Sequence, residues 1–298
     1  MAEYCNNQKS LSEIARLCSC SRQYVYKKMR EYNIPLRSKS IARRLALWQQ
    51  KVTAMRIDST GQRRPVVYQK VEVNKHFFNS WSQDMAYVLG IIYTDGNLQA
   101  PKPMDAAKHD YSRMARLSIG QKEPEMLIKV LALMNCNAKL HYKKRRYYKN
   151  TTAGELYYIS ICDNEIYHDL TKLGLKPKKS TDLNFPAIPE GYMRHFIRGC
   201  WDGDGSVYLE RKKRRLVASY VSGSLVFIRG LARALEKAGL PKRTIYATVR
   251  KYKPSYYFKF TGSQCLKLYH YLYDDVPPTQ YLERKYNIFK NYCDPSSK

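Results

Sequence analysis

The chain has 298 residues, 44% of them hydrophobic and 13% aromatic. That excludes a disordered polymer and leaves room for two or three domains with sizeable cores. Lys and Arg total 53 against 25 Asp and Glu, a formal net charge of +28, which calls for a polyanionic partner, nucleic acid before an acidic membrane surface.

No apolar run reaches the roughly 18 residues of a membrane span, and neither a signal peptide nor a lipidation motif is read in the sequence. Cys5, Cys18, Cys20, Cys136, Cys162, Cys200, Cys265 and Cys293 are scattered through apolar contexts. They lack the paired spacing of a zinc site. They read as reduced, mostly buried thiols of an intracellular protein, from a bacterial or phage-infected cytoplasm or an organelle.

The first predicted elements are two short amphipathic helices within "SLSEIARLCSCSRQYVYKKMREYNIPLRS" (10–38). Ile14, Ala15 and Leu17 supply the inner face of the first. Ser21 is the expected N-cap of the second, whose Val25 and Met29 fall four residues apart. Pro35 stops that helix shortly after Asn33. The pattern resembles a helix-turn-helix, whose second helix enters the major groove by its first residues, here Arg22, Gln23 and Tyr24. Ser19 departs from it, since that turn usually carries Gly. The alternative is a plain helical hairpin with a solvated basic face. Lys27, Lys28, Arg30 and Arg37 lend charge for DNA. A basic connector follows over 39–80, in which "IARRLALWQQ" is a helix and "DSTGQRRP" breaks regular structure.

From residue 81 onward the chain repeats itself. Placing "DMAYVLGIIYTDGNL" (84–98) over "GYMRHFIRGCWDGDGSVYL" (191–209) aligns Asp95 with Asp204, Gly90 with Gly199 and Gly96 with Gly205. The next segments, "MARLSIGQKEPEMLIKVLALM" and "RLVASYVSGSLVFIRGLARAL", both read strand then helix. Basic, tyrosine-rich alternating stretches follow in each, then a helix ("DNEIYHDLTKLG" or "SQCLKLYHYLY") and a basic tail ("KPKKS" or "ERKYN"). The unit is αββαββα, present twice over 81–188 and 189–298 and joined at "FPAIPEG". The fold class is α+β with a small all-α domain at the N-terminus.

Two acids at the end of "YMRHFIRGCWDGDG" sit where helix carbonyls are already partly negative. That costs roughly half a kcal/mol per charge unless a cation is near.

"VLGIIYTDG" (88–96) and "IRGCWDGDG" (197–205) resemble the paired motifs of the LAGLIDADG homing endonucleases in their single-chain form, over about two thirds of the chain. The resemblance implies two motif helices packed side by side, with Gly90 and Gly199 allowing close approach, and two sheets forming a β-saddle. Each helix would deliver one carboxylate, Asp95 and Asp204, to the bottom of the interface. Two carboxylates held this close repel, and a divalent cation relieves the repulsion. Hard oxygen ligands suit Mg²⁺, two or more ions per site. By resemblance, the backbone carbonyls of Thr94 and Gly203 complete the ligand set. The chemistry implied is metal-assisted hydrolysis of a phosphodiester on both strands of a duplex.

Tyr93 holds the slot that Asp202 holds in the second motif. Because the family's metal ligand is the last acid, Asp202 is read as an interface residue. By position in the family, Gln121 and Ser222 would organise water, and Lys179 and Lys285 would lie near the cleaved phosphate. The register against Lys178 and Arg284 stays open. His195 is read as structural.

Three basic hairpins complete the expected DNA surface: Lys143, Lys144, Arg145 and Arg146; Arg211, Lys212, Lys213, Arg214 and Arg215; and Arg250, Lys251 and Lys253. A two-stranded ribbon of this kind fits the major groove. The function implied is that of a free-standing, monomeric, intron-encoded endonuclease acting on a long duplex DNA target. Two alternatives on the same fold remain, an intron RNA maturase and a DNA-binding regulator without catalysis.

Overall fold

A computed structural model describes residues 2–5, 7–49, 51, 55–57, 61–65, 71–102, 114–144, 146–148, 151–177, 183–249 and 254–293. The chain divides into two compact units, one within residues 1–70 and the other from Val71 onward. Among the described residues no helix is long and apolar enough to cross a membrane.

The first unit contains helices α1 (Ala2–Cys5), α2 (Leu11–Leu17), α3 (Arg22–Glu31) and α4 (Lys39–Trp48), then strands β1 (Met55–Ile57) and β2 (Arg63–Pro65), paired antiparallel. Ser10 opens α2 with a reciprocal capping box: its hydroxyl accepts from Glu13 N, and Glu13 Oε2 accepts from Ser10 N at 2.8 Å. Ser21 caps α3 by accepting from Tyr24 N at 3.1 Å. Between them Ser19 takes φ +48°, the left-handed conformation in which glycine is usual, as Ser19 N and Cys20 N bond back to Arg16 O and Ala15 O. Tyr4, Ala15, Val25 and Met29 form the small core.

Three expectations change here. Leu17 is 60% exposed instead of facing inward. Arg37 is built into the fold, its guanidinium donating to the carbonyls of Tyr4, Gln8 and Lys9. The connector carries its expected helix as α4, but "DSTGQRRP" contributes the strand β2 of a β1–β2 hairpin where a break was expected, and Lys51 pairs with Glu13.

The second unit holds the repeat. Its first half runs α5 (Gln83–Asp95), β3 (Gly96–Gln99), β4 (Arg116–Gln121), α6 (Pro124–Leu133), β5 (His141–Lys143), β6 (Arg146–Tyr148), β7 (Thr151–Ala153), β8 (Leu156–Cys162) and α7 (Asn164–Lys172). Its second half runs α8 (Glu190–Asp204), β9 (Gly205–Glu210), β10 (Arg215–Ser222), α9 (Leu225–Lys237), β11 (Tyr246–Val249), β12 (Pro254–Thr261), α10 (Ser263–Tyr273) and α11 (Glu283–Cys293). The sheets are antiparallel with strand orders β3-β4-β8-β5 and β9-β10-β12-β11, the same order within each half. The α+β reading and the doubled αββαββα unit are thus seen directly.

Two details differ from the expectation. The tyrosine-rich stretch after β5 folds out as a separate β6–β7 hairpin. The tail "ERKYN" begins a helix, α11, because Leu282, Lys285 and Phe289 recur at helical spacing and are buried on one face. One hydrophobic core runs through both halves.

Of the cysteines with described side chains only Cys200 and Cys265 are buried, while Cys18 and Cys162 are exposed, so the expectation of mostly buried thiols does not hold.

Candidate active site

Helices α5 and α8 are both enclosed, α5 by apolar residues almost throughout and α8 with His195, Arg198 and Asp202 among its buried residues. Tyr87 to Ile92 and His195 to Trp201 are buried throughout. Their backbones touch. A Cβ on Gly90 would come within 2.2 Å of Phe196 O, and one on Gly199 within 2.1 Å of Tyr87 O. No side chain fits either place, which is why glycine stands in both motifs.

Both helices turn straight into a strand, at Gly96 and Gly205, and so deliver their last residues to one spot. A Cβ on Gly203 would lie 2.0 Å from Thr94 Oγ1 and 2.8 Å from Asp95 Oδ2. The Asp95 carboxylate therefore reaches across to the last turn of α8, one residue before Asp204. Asp95 is half-buried and Asp204 exposed.

Gln121 ends β4 and donates from Nε2 to Asp95 Oδ2 at 2.5 Å, while its own Oε1 accepts from Lys122 N at 3.1 Å. That pair of bonds fixes which way the amide points. Ser222 ends β10 at the equivalent register, since Gln121 pairs with Tyr157 and Ser222 with Tyr256. Its short side chain accepts from Ser224 N at 3.1 Å. The two equivalent positions are therefore used differently.

Asp202 is buried and faces inward. It accepts from Tyr87 Oη at 2.9 Å, from Tyr273 Oη at 3.0 Å and from Leu282 N at 2.9 Å. Burial pushes its carboxyl up from the ordinary value, and the Lys285 charge and these three donors pull it back. At the matching position Tyr93 reaches out itself, donating to Leu173 O at 2.6 Å. The first half thus fills with a long side chain the slot where the second half uses an acid and a tyrosine from α10.

Lys285, expected by position near the cleaved phosphate, is a buried residue at the end of α8. It is 3% exposed, and its ammonium donates to the carbonyls of Trp201 (2.8 Å), Asp202 (2.7 Å) and Gly203 (3.2 Å). The cause is α11, which carries Lys285 beneath the end of α8 instead of out along a tail. Burial lowers its affinity for the proton, and the Asp202 charge opposes that. The expected metal ligand Gly203 O is thus already engaged by a cation. Lys179, Arg145, Arg250, Lys251 and Lys253 lie outside the described residues.

A buried polar cluster behind the motif helices was not legible beforehand. Arg198, fully buried, donates to Gln280 O (2.7 Å), Leu272 O (3.1 Å) and His195 Nδ1 (2.8 Å), and Gln280 Nε2 donates to Asp84 Oδ1. Burial, then the Arg198 charge, lowers His195 to about 4, so it stays neutral and accepts. Burial brings Arg198 down to about 10.

Among the residues expected to meet DNA, Lys143, Lys144, Lys212, Lys213 and Arg214 are exposed at strand ends and turns. Arg215 is held by Glu210 at 2.6 Å. Arg146 lies in β6, and Arg211 opens the short 3₁₀ turn between β9 and β10. In the first unit Arg22, Gln23 and Tyr24 are exposed at the start of α3.

Residues 191–272 match the family described as LAGLIDADG-like domain. This stretch spans α8 to α10, and the residues from α5 to α7 repeat its topology. No curated protein sequence matches the chain. Similar solved structures include I-DmoI in complex with DNA and Mn (16% identity, 65% of this chain and 98% of that one, TM-score 0.44). The homing endonuclease I-WcaI bound to its DNA recognition sequence is similar at 13% identity, over 72% and 91%, with a TM-score of 0.45. Meganuclease I-SmaMI bound to uncleaveable DNA is similar at 11% identity, over 72% and 88%, with a TM-score of 0.44.

Proposed function

We propose that this chain is a site-specific DNA endonuclease that cuts both strands of a duplex by divalent-cation-assisted phosphodiester hydrolysis. The observation that carries the reading is the meeting of the two motif-helix ends, with Asp95 Oδ2 lying 2.8 Å from where a Cβ on Gly203, the neighbour of Asp204, would stand.

The donor set fits such a cation. Among the described residues no group of three or more His, Cys, Asp or Glu could hold a metal. Two carboxylates at an open rim suit Mg²⁺, which keeps several waters and accepts substrate phosphate oxygens in place of a protein cage. Such an ion supplies Lewis acidity to the phosphate and lowers the pKa of water at neutral pH. Asp95 and Asp204 would hold it, and the Gln121 amide fixes the Asp95 carboxylate. Gly203 O is poorly suited as a further ligand, since a cation bound there would face the Lys285 ammonium across one oxygen.

The excess of basic residues supplies binding. Lys143, Lys144 and Lys212 to Arg214 sit at strand ends and turns and would neutralise phosphates in a salt-dependent manner. In the first unit Arg22, Gln23 and Tyr24 would add contacts from the start of α3.

The test is incubation of a randomised duplex DNA library with Mg²⁺ and wild type, Asp95→Asn or Asp204→Asn, followed by sequencing of cut ends. Discrete double-strand cuts by the wild type alone are expected. Binding of DNA without any cut would sink the endonuclease reading, and selective retention of structured RNA instead would favour the maturase use of the same fold.

A further inference from the structure

The two halves differ at one place directly behind the acids. In the second half Tyr220 of β10 pairs with Gly205, and in the first half Ile119 of β4 pairs with Gly96. Trp201 stands one turn before Asp204, where the first half has Ile92. Two isoleucines are thus exchanged for two side chains with polar tips. Both tips are buried, and neither Tyr220 Oη nor Trp201 Nε1 has a hydrogen-bond partner among the described residues. Such groups are rare in folded proteins, because each orphan donor forfeits its full solvation.

The two aromatic rings are neighbours. Trp201 Cδ1, the ring atom bonded to Nε1, lies 2.6 Å from the position of a Gly205 Cβ, and Gly205 is the cross-strand partner of Tyr220. The two rings are 5.6 Å apart between centroids. They meet at the junction of α8 and β9, immediately after Asp204. Burial, and then the nearby Cys200, Asp204 and Asp95, push the Tyr220 hydroxyl well above the ordinary tyrosine value, so it remains a donor.

We propose that Trp201 Nε1 and Tyr220 Oη hold an internal water at the α8–β9 junction, and that through it Tyr220 positions the Asp204 carboxylate for a divalent cation. This inference rests on the metal-site reading above. The two unpartnered donors and the neighbouring carboxylate would together give such a water the two to four partners it requires. The first half, with isoleucine at both positions, orients its acid directly through Gln121. In the second half Ser222 is turned to Ser224 N, and the water adds a route from Tyr220 to its acid.

Two measurements on the full chain decide it. A crystal structure at high resolution should show a water within hydrogen-bond distance of both Trp201 Nε1 and Tyr220 Oη; a dry gap there overturns the proposal. Mn²⁺ binding followed by electron paramagnetic resonance should weaken roughly tenfold in Tyr220→Phe, the scale on which groups behind a metal ligand act. Trp201→Phe should weaken it likewise. Unchanged Mn²⁺ affinity together with a raised melting temperature in Tyr220→Phe would mean the hydroxyl is simply an uncompensated orphan, and the positioning role fails. Asp204→Asn separates the two readings: if it binds Mn²⁺ as the wild type does, the metal site itself is wrong.

Discussion

Replacing Lys285 by Met discriminates sharply between a lysine at the phosphate and a lysine that caps a helix. The side chain is almost fully buried, and its ammonium donates to three carbonyls in the last turn of α8, at 2.7 to 3.2 Å. Hydrogen bonds from a charged donor contribute about 1.5–3 kcal/mol each, and a cation at a partly buried helix C-terminus adds up to about 2 kcal/mol. Against this stands the cost of burying an ammonium, several kcal/mol. Methionine recovers that cost but leaves the carbonyls and the buried Asp202 without their cation. Loss of one member of such a charge pair costs about 3–5 kcal/mol, so the net destabilisation should be near 3 kcal/mol. Urea unfolding of the full chain, followed by circular dichroism, reads it. Adding Asp202→Asn should cost less in the Lys285→Met background than in the wild type, because the buried charge has already lost its partner there. The cap is refuted if Lys285→Met leaves stability within about 0.5 kcal/mol while abolishing DNA cleavage, since the ammonium would then act on substrate.

Gly199→Ala should destabilise the chain by about 3 kcal/mol or prevent folding, because backbone atoms cannot yield to a methyl group at 2.1 Å; a melting temperature equal to wild type would contradict the packing of α5 on α8. Gln121→Ala should lower the cleavage rate roughly tenfold or more by releasing the Asp95 carboxylate, with the melting temperature nearly unchanged; equal rates would show that the amide is dispensable. His195 has a folded value of about 4 against an ordinary 6.5. The unfolded state therefore takes up its proton first, so stability is full above about pH 6.5 and is lost as pH falls toward 4. At most about 3 kcal/mol is involved, and His195→Gln should flatten urea midpoints over that window.

The repeat was legible because it lives in local chemistry. Two Asp-Gly ends at equal spacing, two interface glycines and alternating strands all follow from short-range pattern, and each appears in the structure. Capping of α2 was legible too, since Ser10 and Glu13 stand three apart, yet no expectation used it. What stayed hidden depends on long-range placement. The tail "ERKYN" is too short and too polar to announce that Leu282, Lys285 and Phe289 share a buried face. Arg198 reads as one more basic residue until Gln280 and Leu272, more than seventy positions away, are seen to surround it. No sequence pattern singles out Trp201 and Tyr220, whose rings the fold sets side by side.

The polar residues at the helix interface also settle which helices can pair. Because both halves carry the same unit, α8 could in principle pack on α8 of a second copy, glycine against glycine. In the observed pairing Tyr87 of α5 donates to Asp202, and Asp84 accepts from Gln280. In an α8–α8 pairing the position of Tyr87 is taken by Phe196 and that of Asp84 by Met193. Asp202 would then lose a donor and Gln280 an acceptor in a buried setting, at about 1–3 kcal/mol for each group left unmet. Across a two-fold axis each loss occurs twice. The apolar surface favours any close packing of these helices, whereas the buried acid and amide admit α5 and disfavour a second α8. The asymmetry between Tyr93 and Asp202 is therefore part of what joins the two halves within one chain.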